Sequence, residues 1–421
     1  WVKRGNISNQ GIFNHYTNGS NYVECRFDSN HQLEFINVDG GSTTWRLTTN
    51  RLFRDPSAWY HIVVALDSSD GTADDRQKIY VNGTQETSFA NRTNPDEDAN
   101  CKFNNSNAID IGLGSAAGYF DGYLAEVVFI NASQLAATSF GEFNSDSPTI
   151  WQPIDVSGLT FGTNGFYLDF EDSANLGNDA NGGTDFTESN IVATDQASDS
   201  PTNNFATLNP LNQTTSNNFV LSEGNTVTLT SGDASAMYYG GSSTIGVSNG
   251  KWYCEYKGTS NGGNSLCGIS FNPSEDARLN EYIGQQAWSY GYYGAGSSWN
   301  NNGEIDASYG DSYTDNDIIG IALDMDNNKL YFSKNGTFQD SGDPTSGATE
   351  TGAISITSGE TYFFSFGDQS STPKSLINVN FGNPAYANSS DAADANGYGA
   401  FEYAPPDSYF SLCSANLAQY G

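Results

Sequence analysis

Short apolar and aromatic runs, each closed by turn residues, set the tightest limit on how this chain can fold. Trp59-Tyr-His-Ile-Val-Val-Ala-Leu-Asp67 is a continuous β-branched and aromatic run. After a polar turn comes Gln77-Lys-Ile-Tyr-Val81, ended by Asn82-Gly83. Gly250-Lys-Trp-Tyr-Cys-Glu-Tyr256 alternates, and Asp317 to Asp326 leads through Asn327-Asn328 into Lys329-Leu-Tyr-Phe-Ser333 and Asn335-Gly336. β-Branched and aromatic residues fit a pleated surface, and Asn-Gly supplies the positive φ of a tight hairpin turn. Aromatic residues reach 13% and charged residues only 15%, below the usual quarter, while Gly numbers 45. Many short strands joined by many turns are therefore expected, with little helix: an all-β chain of antiparallel sandwiches.

At 421 residues the chain exceeds one ordinary domain. Residues 1–144 and 212–405 are strand-rich and predict two domains. Residues 145–211 change character, but Trp151, Phe161, Phe166, Tyr167 and Phe170 make an ordered connector the expectation rather than a flexible linker. Residues 406–421 read as a C-terminal junction segment.

Charge narrows the partners. The 49 acidic and 16 basic residues leave a net charge of −33. Nucleic-acid binding needs a basic footprint, which is lacking, and an anionic membrane would repel the chain. No apolar run is long enough for a membrane span. Acidity keeps a protein dispersed, and it suits salty water, where self-repulsion is screened. Cys25, Cys101, Cys254, Cys267 and Cys413 are an odd number without short spacing, so buried free thiols are expected rather than a disulfide framework. Cys254 and Cys267 fall in two strand-like runs that can face each other.

Three separated motifs of the first region, Trp59-Tyr-His-Ile-Val-Val, Ile79-Tyr-Val-Asn-Gly83 and Phe120-Asp-Gly-Tyr-Leu-Ala-Glu-Val127, resemble the laminin G-like or concanavalin-type lectin sandwich. That resemblance implies a jelly roll of two antiparallel sheets. Trp1-Val-Lys-Arg is similar to an early strand of such domains, which implies that the strand begins before Trp1 and that its edges are covered by preceding residues or by neighbours. In the second region, Gly250–Tyr256, Asp317–Gly336 and Asn378-Val-Asn-Phe-Gly-Asn-Pro384 resemble the SPRY domain, with longer loops richer in Gly, Asn and Tyr. Those loops keep any other SPRY domain's partner specificity from carrying over. The ending around Phe410-Ser-Leu-Cys-Ser-Ala-Asn-Leu417 resembles endings that follow SPRY domains in phage structural proteins. Together these resemblances imply a bacteriophage tail-fibre-type protein, with marine phages the suspected source.

Catalytic constellations are sparse. His15, His31 and His61 share the first region without a metal-binding spacing, and His61 sits in an apolar strand, where packing is expected. Concanavalin-type glycosidases carry an acid and a second carboxylate across the scissile bond. Glu304-Ile-Asp306 offers half of that signature and no further Glu, so no enzyme activity is expected. Calcium is a weak candidate for the acidic turn of Asp67, Asp70, Asp74 and Asp75, and weaker at Asp324-Met-Asp326-Asn-Asn328, which reads as a hairpin. The stretch Trp288 to Trp299 reads as an aromatic loop. Trp288, Tyr290, Tyr292, Tyr293 and Trp299 have the vocabulary of binding surfaces, rigid rings among adaptable polar groups. The rival reading gives the same rings to a core or a subunit interface.

The function expected from the sequence is that of a non-enzymatic, extracellular virion protein, a tail fibre or appendage. Its sandwiches would present a surface for host-surface glycan or protein attachment. Its partners would be other virion proteins, including copies of itself. The rivals are a purely structural decoration or head-fibre subunit and, behind it, a secreted glycan-binding or glycoside hydrolase module.

Overall fold

The computed structural model of the chain describes residues 1–103, 108–115, 118–131, 133–212, 219–230, 239–260, 263, 265–368 and 375–421. The chain forms two compact units, Trp1–Gln196 and Ala197–Gly421. Strand takes 40% and helix 7%, which bears out the all-β expectation.

The first unit contains β1 (Val2–Arg4), β2 (Gln10–Asn18), β3 (Asn21–Phe27), β4 (Gln32–Asp39), β5 (Ser42–Leu52), β6 (Trp59–Tyr60), β7 (Ile62–Leu66), β8 (Gln77–Val81), β9 (Thr84–Gln85), β10 (Phe89–Thr93), β11 (Ile109–Ile111), β12 (Gly122–Leu124) and β13 (Val127–Phe129). β14 (Gly141–Phe143), β15 (Trp151–Pro153) and β16 (Phe166–Leu168) follow. A six-stranded sheet runs β10-β5-β4-β3-β2-β11, and β7-β8-β9 form a smaller one. Val23, Cys25 and Phe27 alternate inward from β3, as Leu33 and Phe35 do from β4, and meet Ile79 and Val81 of β8 in one core. β1 lies between β12 and β6, and β13 pairs with β16. Asn82 and Gly83 have φ of 48° and 77°, the positive pair that a tight hairpin turn requires.

The segment read as a connector belongs to the two units instead of standing between them. Residues 145–196 lie in the first. Trp151 is buried with Trp1, Trp59 and Ala137 in an outer cluster. Its ring is why this stretch folds down: a large apolar surface is hidden, and its N–H finds the buried Nδ1 of His61 at 2.9 Å. Residues 197–211 lie in the second unit, where Phe205, Ala206 and Leu208 are buried.

The second unit contains β17 (Phe219–Ser222), β18 (Val227–Thr230), β19 (Tyr239–Ser242), β20 (Lys251–Ser260), β21 (Ser265–Ser270), α1 (Pro273–Leu279), β22 (Ser289–Tyr293), β23 (Ser298–Asn300), β24 (Gly303–Asp306), β25 (Ile318–Asp324) and β26 (Lys329–Lys334). β27 (Thr337–Phe338), β28 (Ile354–Ser355), β29 (Phe363–Asp368), β30 (Leu376–Asn380), β31 (Phe410–Ser411) and α2 (Ser414–Tyr420) complete it. One sheet follows β17-β18-β30-β20-β25-β26-β27, with β28 on β26 and β31 on β20, and the other follows β19-β29-β21-β22-β23-β24. Their facing sides share a core that includes Trp252, Ile321, Phe332, Phe364 and Val379. Cys254 and Cys267 are both buried in that core as free thiols.

β25 is buried at every position because the first sheet is covered on both sides. Its second face packs Tyr253, Ala322 and Tyr331 against Phe401 and Tyr409 of the C-terminal segment. That explains why Ile318–Asp324 reads as a continuous apolar run rather than an alternation. The covering segment is held by Glu255, a buried carboxylate that accepts the backbone N–H groups of Glu402 (3.0 Å) and Tyr403 (2.8 Å). Residues 406–421, expected to be a junction, are thus built into this unit. β31 lies parallel to β20, and Leu412 and Cys413 are buried.

Candidate binding groove

The stretch read as an aromatic loop holds β22 and the start of β23, part of a meander of three strands. β22 pairs with β23, and β23 with β24. Asn301 and Asn302, with φ of 53° and 56°, form the tight turn between β23 and β24. Pleating then divides the rings. Tyr290 and Tyr292 enter the core, 7% and 0% exposed. The Tyr292 hydroxyl donates to the Asp311 carbonyl. Trp288, Tyr293 and Trp299 are half-buried. Trp288 Nε1 donates to Asp276 Oδ1 at 2.8 Å, and Trp299 Nε1 to Ser297 Oγ at 2.8 Å. Tyr293 packs against a cluster of Tyr239, Leu266, Ala277 and Ile283. The five candidates therefore do not form one exposed patch.

The structure brings one of these rings to a groove of about 490 Å³ beside the edge strand β24. Tyr290, Ser298, Asn300, Ile305 and Asp306 line it from the meander, facing Asp340 and the Ala353–Ser355 segment. Ile305 stands 47% exposed on the rim. The Tyr290 hydroxyl is fixed near Thr357 Oγ1 at 3.1 Å. Ser298 Oγ is fully buried and, among the described residues, has no hydrogen-bond partner. A buried hydroxyl left alone costs roughly 1–3 kcal/mol, so a ligand atom that reached it would recover much of that. The groove offers an apolar rim, two carboxylates, an amide and this hydroxyl.

Of the half-motif, Asp306 lines the groove while Glu304 does not. Asp306 and Asp340 are both solvent-exposed. They lack the apolar enclosure that equips a carboxyl as a general acid. In the acidic turn, Asp67 accepts from Ser69, Asp70 from the Thr72 N–H, Asp74 pairs with Arg92 and Asp75 with Lys78. Two of these four calcium candidates thus already have cationic partners. Among the described residues no group of three His, Cys, Asp or Glu side chains is arranged to hold a metal.

One polar constellation escaped the sequence reading. On the outer face of the six-stranded sheet, Arg26 bridges Glu24 (3.4 Å) and Glu34 (2.7 Å). Arg46 and the Thr48 hydroxyl also reach Glu34, at 3.3 and 2.9 Å. Strand register makes this ladder, since Arg26 lies opposite Glu34 and Glu34 opposite Thr48. Alternation in β3 and β5 was the available signal, Glu24 and Arg26 in the one and Arg46 and Thr48 in the other occupying every second place.

Comparison with known proteins agrees with this architecture. Residues 1–137 match the concanavalin A-like lectin/glucanases superfamily, as its laminin G branch, and residues 240–369 match the SPRY domain. The chain carries a laminin G-like domain followed by a SPRY domain. The chain is 34% identical over 93 residues to a Ran-binding proteins 9/10 homolog of Drosophila melanogaster, covering 22% of this chain and 10% of that protein. It is 35% identical over 99 residues to the ATP-dependent RNA helicase DDX1 of Xenopus laevis, covering 24% and 12%. The chain thus spans about a tenth of these relatives' length. Among solved structures, the SPRY domain of human HERC1 is 18% identical, covers 38% of this chain and 91% of that one, and has a TM-score of 0.30. Among the described residues no helix is long and apolar enough to cross a membrane.

Proposed function

We propose that this chain is a non-enzymatic recognition protein whose SPRY unit binds its target through the groove beside β24. The observation that carries the reading is the buried Ser298 hydroxyl, without a hydrogen-bond partner among the described residues, in a groove that it lines together with the exposed Ile305, Asp306 and Asp340. Concave sites with a few convergent polar groups among apolar walls are the usual form of ligand sites. The acidic rim disfavours anionic targets, so a neutral glycan or a basic stretch of protein is the fitting ligand. The virion setting, a tail fibre or appendage attaching to a host surface, rests on the sequence resemblance of the chain's ending and of the domain combination.

Ile305→Arg and Asp306→Lys change the rim without touching the core. Binding to a panel of neutral oligosaccharides and Lys-rich peptides, read by calorimetry, should fall at least tenfold in both variants while thermal unfolding stays unchanged. Undiminished binding in the folded variants would move the site elsewhere. If no member of the panel binds the parent chain, the purely structural reading takes precedence.

A further inference from the structure

The groove in the second unit runs between two open strand edges. β24 ends the sheet β19-β29-β21-β22-β23-β24, and β28 lies at the border of the other sheet, paired with β26. Among the described residues neither has a strand on its other side. The far end of the sheet that holds β24 is closed by the chain itself. There the Asn209 N–H donates to the Ser242 carbonyl of β19 at 2.8 Å, and Leu208 bridges Ser243. Ile354 and Ser355, neighbours in β28, both line the groove. Successive strand residues point to opposite faces, so a groove that touches both runs along the strand edge rather than over one face.

The chemistry of the β24 edge narrows what can enter. Asp306 pairs with Ser298 and Glu304 with Trp299, so Ile305 is an extra residue that bulges the strand. Bulges and charges on an edge keep like edges apart. A second copy of this chain would bring the same Glu304 and Asp306 against this strand, with a net charge of −33 behind them. A basic strand meets no such bar, and pairing attraction for one partner with repulsion of another is how an interface selects. The Tyr309 phenol, which lines the groove, is held above its ordinary value by burial first and by Asp340 and Asp306 after it, so both carboxylates bear on one place.

Resting on the reading of this groove as the binding site, we infer that its target is an extended basic segment of another protein that adds to β24 as a further strand, with Lys or Arg at alternate positions directed at Asp306 and Asp340. In strand addition the backbone ladder gives affinity and the alternate side chains give specificity. β24 has four residues, which sets the length of chain that is read. Ser298 lies directly opposite Asp306, so its buried hydroxyl is on the face that these basic side chains approach. A neutral glycan offers neither ladder donors nor positive charge, and it leaves the open edge unused.

The test uses the full chain and a capped peptide, Lys-Val-Lys-Val-Lys-Val, with binding read by calorimetry. In an extended strand the lysine N–H groups point to one edge and the valine N–H groups to the other. Two isomers therefore carry N-methyl groups, one on its lysines and one on its valines, with composition, charge and bulk the same. One isomer should lose affinity roughly tenfold or more, because its ladder donors are blocked, while the other keeps most of the parent's. Equal affinity of the two isomers would overturn strand addition. If Asp306→Lys still removed that binding, the groove would remain the site and only the mode of recognition would fall. A parent peptide that does not bind would also overturn the inference, and a neutral oligosaccharide held by the chain and released by Asp306→Lys would then make the ligand a glycan. Failure of every probe would overturn the reading of the groove and this inference together.

Discussion

At the scale of single residues, two buried titratable groups make opposite predictions. His61 is 4% exposed and accepts the Trp151 indole N–H through Nδ1, so its ring is neutral there. Burial holds it down to about 3 from its ordinary 6.5. Between those values the unfolded chain binds a proton that the folded chain refuses. Stability is therefore full above pH 6.5 and is lost as the pH falls. His61→Gln keeps an acceptor without the titration. It should flatten the fall in unfolding free energy from urea titration between pH 7 and 4.5 by on the order of 2 kcal/mol. Asp276 has the opposite sign. Burial raises it to about 6 from 3.8, against the hydrogen bonds from Ser270 and Trp288. The folded chain keeps this proton longer than the unfolded one, so stability is present below 3.8 and lost as the pH rises through 6. Asp276→Asn can still accept from Trp288 and donate to Ser270. It should gain about 1–3 kcal/mol at pH 7 and nothing at pH 3.5. The sequence marked His61 as packed but could not pair it with Trp151, 90 positions away.

At the scale of elements, what was legible depended on whether the signal was local. Asn82-Gly83 and Asn335-Gly336 both take the positive φ that their sequence demands. Trp299-Asn-Asn-Asn-Gly303 carried the same kind of turn signal, but the surrounding Gly and Ser made the stretch read as loop. Close approach explains those glycines. A Cβ on Gly291 would fall 2.5 Å from the Ile283 carbonyl oxygen, so β22 packs against that backbone only because the Cβ is missing. The Glu24–Arg26–Glu34–Arg46 ladder was hard to read for the opposite reason, since Glu34 meets Arg26 and Arg46 only across strands. Glu34→Gln leaves Arg26 and Arg46 short of a counter-charge on a largely buried face. It should cost about 3 kcal/mol in chemical denaturation. Replacing Arg26, Glu34 and Arg46 together by apolar residues of similar volume should cost less than that single change.

At the scale of the whole molecule, the net charge of −33 acts on both units alike. Raising NaCl from 0.01 to 1 M shortens the screening length from about 30 to 3 Å, so the thermal midpoints should rise with salt. Where the chain divides is the sharper question. Composition placed a connector at 145–211, because Gly, Asn and Pro accumulate there. The contacts within the fold place the division between Gln196 and Ala197. The difference lies in three side chains that composition cannot weigh: Phe205, Ala206 and Leu208, 2%, 1% and 0% exposed. Their backbone is tied in as well, Ala206 N–H to the Leu412 carbonyl at 2.9 Å and Leu208 N–H to that of Asn225 at 2.8 Å. Residues 197–421 expressed alone should therefore unfold cooperatively, with the midpoint of the second unit in the full chain. Residues 212–421 lack Phe205 and Leu208, each worth about 1.5–3 kcal/mol when buried, and leave the Leu412 carbonyl unpaired. That shorter piece should lose roughly 4–7 kcal/mol in urea denaturation, most of what an ordinary domain has. Equal stability of the two pieces would return residues 197–211 to the connector.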